Sequence, residues 1–164
     1  MDNTPFLIKK LHNRLILDIA DLDRIAPDTG KVFGTVSKYF YDIPPNQPAL
    51  YLQSGQLQIP NRDNLGFDDL RVSFTAFIYQ VMESSTTQAD MDTKVDLLND
   101  CIIYLYRYIG EVPNNLGDVD GVTVFNSEFL DASSRDVTTP SGQGLEIAVS
   151  FALDVSVDVK LINE

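Results

Sequence analysis

The chain has few side chains that could act as nucleophiles or general bases. It contains one His, His12, and one Cys, Cys101. His12 falls within a predicted helix with no catalytic partner nearby, so we interpret it as a solvated helix residue. Cys101 lies beside Ile102 on the predicted buried side of a second helix, which indicates a core thiol rather than a nucleophile. Two residues of these types are also too few for a zinc site.

One acidic segment resembles a calcium-binding loop. In Asp118-Val119-Asp120-Gly121 the glycine would take the sixth loop position. The first and twelfth positions would then be Leu116 and Ser127, and neither supplies the carboxylate that an EF-hand requires. We therefore predict an Asp-Gly turn here, with a looser calcium site as the alternative.

The remaining acidic residues do not define a reaction. Any chain with 24 Asp and Glu residues offers carboxylate pairs, so a hydrolase stays open as an alternative. Asp68-Asp69 and the pair Asp90 and Asp92 are interpreted as loop and helix-capping residues. Gly142-Gln143-Gly144 precedes a predicted strand, so it is a turn and not a dinucleotide-binding loop. The sequence predicts no enzyme, no cofactor and no metal site.

Composition limits the possible partners. The 164 residues are 44% hydrophobic, which suits one domain over residues 1–164 with a substantial core. The formal net charge of −12 argues against a surface that grips nucleic acid, although DNA could still slide past. A single Cys excludes an internal disulfide and suits a reducing compartment. No basic leader or long apolar run is present, so we expect the protein to be made in a cytoplasm and to leave it only by lysis or assembly.

Two helices follow from apolar residues repeating every three or four positions. The first is capped by Thr4 and starts at Pro5, with Pro27 and Gly30 as its end. Its predicted stripe is Leu7 or Ile8, Leu11, Leu15, Ile19 and Leu22. The second starts near Asp90 or Asp92 and stops at Gly110, before Pro113. Its stripe is Met91, Val95, Leu98, Ile102, Leu105 and Ile109, of which Val95, Leu98, Ile102 and Leu105 are predicted to pack on a sheet.

Strands are predicted between and after these helices. Val32 to Tyr41 is a possible strand, and Ala49–Leu52 with Leu57–Ile59 could form a hairpin around Ser54-Gly55. Arg71 to Val81 carries apolar residues on both faces, which is typical of a central strand covered on both sides. Val122 to Phe125 is predicted as a short strand. The polar segment 127–144 is predicted as a long mobile loop that becomes ordered in an assembly.

The last predicted strand has the most regular alternation. Odd positions from Leu145 to Leu161 are apolar, and even positions are mostly polar or small. Such a strand would be roughly 50 Å long, against a usual ~17–20 Å, so one domain would hardly cover its apolar face. We therefore predict a subunit interface at Val155, Val157 and Val159, with Phe129 and Leu130 from the preceding segment. The alternative is a bend near Asp154 that folds the tail onto the second helix.

Together these elements predict an α+β fold, with a mixed or antiparallel sheet packed by two main helices and a long C-terminal strand. Their order resembles the tail-terminator and tail-completion proteins of tailed bacteriophages. The resemblance covers the stripe at Leu11, Leu15 and Ile19, the Pro-rich region 32–59, the strand 72–78, the helix 95–109 and the closing strand 144–151. It extends over most of the chain but includes no diagnostic motif.

The resemblance implies a structural subunit of the virion that lacks catalytic residues and cofactors. It would form a ring, expected to be a hexamer, between the tail tube and the head connector, with DNA passing through the lumen and no membrane contact. One alternative is another tube, neck or baseplate subunit. Another is a cytoplasmic module that binds a peptide or small ligand, with Tyr39, Tyr41, Tyr51 and Phe67 around a Pro-rich rim, although core packing would also explain these aromatic residues.

Overall fold

A computed structural model describes residues 4–21, 33–38, 48–62, 67–82, 87–116, 118–119, 121–139 and 142–158. Along the chain these residues form α1 (Thr4–Ala20), β1 (Thr35–Ser37), β2 (Ala49–Arg62), β3 (Phe67–Met82), α2 (Gln88–Leu116), β4 (Asp118–Val119), β5 (Val122–Thr139) and β6 (Gly142–Asp158). The strands belong to one sheet in the order β1-β2-β3-β6-β5-β4. Only the β1–β2 pair is parallel. The predicted α+β class with a mixed sheet is confirmed.

The core lies between one face of the sheet and the two helices. Even-numbered residues of β3 pair with odd-numbered residues of β6, as in Ile78–Ile147 and Phe74–Phe151. The rings of Phe74 and Phe151 stack at a centroid distance of 5.5 Å, and both are fully buried. Burying each such side chain contributes about 1.5–3 kcal/mol, so this double row provides much of the stability of the fold.

Helix α1 packs on this face through its predicted stripe. Leu11, Leu15 and Ile19 are fully buried, and the helix begins at Thr4 and ends at Ala20. His12 is half-buried rather than solvated, which corrects its interpretation from the sequence. Its Nε2–H donates to the backbone carbonyl of Leu52 at 2.7 Å, and burial lowers its pKa. The predicted helix end at Pro27 and Gly30 lies outside the described residues.

Helix α2 is longer at both ends than the sequence predicted. Its N-cap is Thr87, whose Oγ accepts from the backbone N–H of Asp90 at 3.2 Å, so neither Asp90 nor Asp92 caps it. Gly110 does not end the helix, and Pro113 lies inside it. Pro113 has no N–H to donate to the fourth residue before it. The helix continues because Val112 and Leu116 beyond Gly110 are buried in the core, and this packing outweighs the local stop signals.

The buried side of α2 differs partly from the predicted stripe. Leu98 and Leu105 are fully buried and Ile102 packs against the core, but Val95 is 37% exposed and its predicted burial is wrong. Cys101 is buried, which confirms a core thiol, and burial raises its pKa to about 12. The hydroxyl of Tyr108 donates to Asp18 of α1 at 3.1 Å and so joins the two helices.

Several strand predictions need correction. The predicted hairpin around Ser54-Gly55 is one strand, β2, with register shifts between Ser54 and Leu57 and between Gln58 and Asn61. Asp68 and Asp69 belong to β3 and not to a loop. In the predicted strand Val32 to Tyr41, only Thr35–Ser37 is a strand, and residues 39–41 lie outside the described part of the chain.

Strands β5 and β6 form a long hairpin, so the loop predicted over 127–144 is wrong. The β5 residues of this segment pair with β6, from Ser127–Leu153 to Thr139–Gly142. Backbone hydrogen bonding to β6 gives this segment regular structure even though few of its side chains are apolar. At the other end of β5, Val119 pairs with Val122 around Asp120-Gly121, and Gly121 has φ 94°. The positive φ of Gly121 is typical of the predicted Asp-Gly turn, of which Asp120 lies outside the described residues.

The apolar face of β6 is covered by the chain itself. Ile147, Val149, Phe151, Leu153 and Val155 are all buried in the core. Val155 is therefore a core residue, which corrects its assignment to an interface. Backbone pairing places Val157 opposite Val122 and Asp68, but its side chain and the whole of Val159 lie outside the described residues.

Leucines on the two sides of α2 test this packing. Leu105→Ala should lower the free energy of unfolding by about 2–5 kcal/mol, because it leaves a cavity in the core. Leu97→Ala removes the same atoms from an exposed position and should change it by less than about 0.5 kcal/mol. Chemical denaturation of both variants checks the prediction, and equal losses would contradict the placement of α2.

Candidate assembly surface

The sheet face opposite the helices is only partly covered. Along β3, Ser73, Thr75 and Phe77 are half-buried, whereas Tyr79 is fully buried. The prediction that β3 is central is confirmed, but coverage of both its faces holds only at the Tyr79 end. Polar side chains occupy much of the remaining face, as in the contact of Thr75 with Ser150 at 3.4 Å between their hydroxyl oxygens.

A polar cluster lies at the covered end of this face. The carboxylate of Glu146 is buried and accepts from the Tyr51 hydroxyl at 2.8 Å and from Nε of Arg135 at 2.8 Å. Burial and the hydrogen bond to Glu146 raise the pKa of Tyr51. Arg135 lies directly opposite Glu146 on β5, with 69% of its side chain exposed. These hydrogen bonds join β2, β6 and β5 at this end of the sheet.

One residue of the predicted aromatic rim, Tyr51, belongs to the same cluster. Tyr51 is buried, and its ring stacks on Phe77 at a centroid distance of 5.0 Å. Its burial favours the alternative interpretation of this residue, which is core packing. Tyr39 and Tyr41 lie outside the described residues, and so does the side chain of Phe67.

The backbone at Gly144 lies close to the ring of Tyr79 beside this cluster. A Cβ added to Gly144 would lie 2.5 Å from Cε2 of Tyr79. Because Tyr79 is fully buried, its ring has little room to move away. Only glycine therefore fits at this point of β6.

At the other end of the open face, Arg71 joins neighbouring strands. It contacts Glu128 of β5 and lies 3.9 Å from Asp154 of β6, and Asn126 donates to Asp154 at 2.7 Å. Arg71 and Asp154 are partly exposed and Glu128 is about half exposed, so solvent screening limits the contribution of each pair to stability.

Strand β5 has a long open edge. β4 pairs only with Val122 and Thr123, and from Val124 to Thr139 no strand among the described residues lies on the outer side of β5. The residues from Leu130 to Asp136 are all exposed. Unpaired N–H and C=O groups at such an edge can accept another strand.

Two bulges bring apolar side chains to this edge. The β5–β6 register shifts between Val124 and Asn126 and between Phe129 and Asp131. The extra residues are Phe125 and Leu130, which are 54% and 48% exposed. A bulge leaves its extra residue out of the ladder and re-aims the side chain, which accounts for large apolar groups in solvent here.

An aromatic side chain of helix α2, Tyr106, lies beside the same edge. Tyr106 is 59% exposed and meets the half-buried ring of Phe129 edge-on, at a centroid distance of 5.3 Å. A cleft of about 450 Å³ between α2 and β5 is lined by these two rings, Gly110 and Glu128, among others. We call the segment from Phe125 to Asp136, together with Tyr106, the β5 edge surface.

The β5 edge surface contains two of the five predicted interface residues, Phe129 and Leu130. The sequence interpretation missed Phe125, Tyr106 and the free edge itself. Leu130 is exposed and Phe129 is half-buried, and their part in an interface stays a prediction. A signal that could have indicated β5 is the lack of Gly and Pro from Val122 to Thr139, followed at once by Pro140-Ser141-Gly142.

The part of the chain that the structure describes offers little evidence for other kinds of site. No group of three or more His, Cys, Asp or Glu residues suited to a metal occurs there. No helix in the same residues is long and apolar enough to cross a membrane. Comparisons with models of known protein families and with curated proteins gave no match. The resemblance to tail-terminator proteins therefore stays a prediction.

Two glycines test the geometry beside Glu146. Gly144→Ala should lower the free energy of unfolding by about 1–3 kcal/mol, because its methyl group would overlap the Tyr79 ring. Gly110→Ala places a methyl group within α2 where no atom lies within 4 Å, and should raise stability by about 0.4–1 kcal/mol. Thermal melts of the two variants should shift in opposite directions, and a neutral Gly144→Ala would disprove the close approach.

Proposed function

We propose that this chain is a structural subunit that assembles with copies of itself through the β5 edge surface. The observation that carries the proposal is the open outer edge of β5, which extends from Val124 to Thr139 among the described residues. Its two bulges and the charged residues Asp131, Arg135 and Asp136 protect it only in part. A long exposed edge of this kind favours pairing with another strand.

The apolar residues beside the edge support the same proposal. Phe125 and Leu130 on β5 and Tyr106 on α2 are each about half exposed or more. Single exposed apolar residues are common, but a group of them along an unpaired strand is typical of a surface that is buried on association. Aromatic residues such as Tyr106 are also enriched at the centres of protein interfaces.

The specific form that we propose is a ring at the head end of a phage tail, in the virion, next to the tail-tube and connector proteins. This step rests on the resemblance in element order and not on the geometry of any site. The net charge of −12 is compatible with it, since an acidic lumen would let DNA pass without holding it. A tube, neck or baseplate subunit would use the same edge.

A second candidate function is binding of a peptide, and the cleft beside Tyr106 and Phe129 favours it. An extended peptide could add to the β5 edge and place a side chain in this cleft. The two functions differ in self-association, because a peptide-binding module would stay monomeric at concentrations where a structural subunit assembles.

Light scattering across a concentration series distinguishes these functions. The unmodified chain should assemble, and Leu130→Asp and Tyr106→Asp should each shift assembly to concentrations at least about tenfold higher, since burying a carboxylate at an interface is costly. Leu17→Asp is the matched control. Leu17 is 65% exposed on α1, which packs beside β1 at the far end of the sheet.

Melting temperatures near that of the unmodified chain would show that all three variants fold. A chain that stays monomeric at every concentration would contradict the proposal. So would an equal loss of assembly in Leu17→Asp, because the contact would then not be specific to the β5 edge surface.

A further inference from the structure

The most regular part of the open edge is the segment from Asp131 to Arg135. It begins after the bulge at Leu130 and pairs with β6 without interruption, from Asp131–Ser150 to Arg135–Glu146. Both of its faces are exposed. Asn99 and Ile102 of α2 face Ala132 to Ser134 across a cleft on one side of the sheet. The outer backbone edge of this segment is unpaired among the described residues, so a further strand could add to it there.

Symmetry limits how two copies of this segment can pair with each other. Two antiparallel strands in one sheet are related by a two-fold axis perpendicular to the sheet, and residues directly opposite each other point to the same face. Because neighbouring residues point to opposite faces, a residue can face only residues of its own parity in the second copy. The two-fold axis must then pass between one residue and its own counterpart.

Charge selects one of the remaining registers. An axis at Ser133 places Arg135 opposite Asp131 of the second copy, twice by symmetry, and pairs Ala132 with Ser134. An axis at Asp131 or at Arg135 puts like charges against each other, which is destabilising. An axis at Ala132 or at Ser134 leaves both Asp131 and Arg135 without an opposite charge. Ser133 is the only centre within the segment that matches the charges.

We propose that the β5 edge pairs with the β5 edge of a second copy around a two-fold axis at Ser133, which makes one continuous sheet of two subunits. Arg135 can serve both partners, since two of its nitrogens contact Glu146 and most of its side chain is exposed. This inference rests on the proposed self-assembly and specifies its contact. A two-fold contact closes on itself, so a ring would join such pairs through a different surface.

Cross-linking tests the register directly. In Ser133→Cys the two thiols face each other across the axis, with Cα atoms about 4.5–5.5 Å apart, inside the range of about 4.4–6.8 Å for a disulfide. Oxidation with diamide should then give a covalent dimer. In Ala132→Cys the counterparts are offset by two positions along the strands and lie about 8 Å apart, so this variant should stay uncross-linked. The native Cys101 is buried and should contribute no background.

Charge variants test the same register without oxidation. Asp131→Lys places a lysine opposite Arg135 of the second copy at two points and should raise the dimer Kd about tenfold. Asp136→Lys changes the net charge equally, but in this register Asp136 faces the bulged Leu130. It should leave the Kd within about threefold. Sedimentation equilibrium gives both values.

The outcomes separate this inference from the proposed function. If the unmodified chain assembles while Ser133→Cys gives no covalent dimer and the two lysine variants behave alike, the two-fold register is wrong and self-assembly stands. If the unmodified chain does not assemble at all, both fail. A covalent dimer from Ser133→Cys but not from Ala132→Cys, together with selective weakening by Asp131→Lys, is the expected result.

Discussion

The pairing of β3 with β6 fixes which side chains of the sheet face the two helices. These two strands are in register from Phe67–Asp158 to Met82–Gln143 without a bulge. The pairing places Phe74 against Phe151 and Ile78 against Ile147, and both helices pack over this row. A slip by one residue would turn every one of these side chains to the other face and remove the core. On the opposite face the same register brings Tyr79 beside Glu146, and the carboxylate of Glu146 then reaches Tyr51 of β2 and Arg135 of β5.

The last two strands of the sheet differ in how far each extends along its neighbour. β5 follows β6 along nearly its whole length, but β4 covers only Val122 and Thr123 of β5. Helix α2 covers the inner part of β5 and leaves Leu130 to Asp136 exposed. Among the described residues the core is complete, whereas the outer edge of β5 stays open, with Tyr106 and Leu130 beside it. The proposed function therefore rests on this open strand edge and not on a set of reactive groups.

Sequence patterns predicted the elements whose periodicity reflects burial by the chain itself. The stripe Leu11, Leu15 and Ile19, the strand from Arg71 to Val81 and the alternation of β6 are examples. Most of β5 was not predicted. Both faces of its outer half are exposed to solvent, so the sequence there shows no alternation of apolar and polar residues. The extension of α2 past Gly110 and Pro113 depends on tertiary packing of Val112 and Leu116, which local signals do not contain. Val155 was assigned to an interface because the sequence does not show that the helices already cover that face.

Hydrogen exchange along β5 tests whether the open edge of this strand is the contact between subunits. In dilute solution, alternate amides between Asp131 and Arg135 should exchange rapidly, because an edge strand directs every second N–H group away from its neighbour. At concentrations where light scattering detects assembly, the same amides should become protected while exchange in α1 stays unchanged. If these amides exchange equally fast in the monomer and in the assembly, β5 is not the contact. The protein then does not assemble through its open edge.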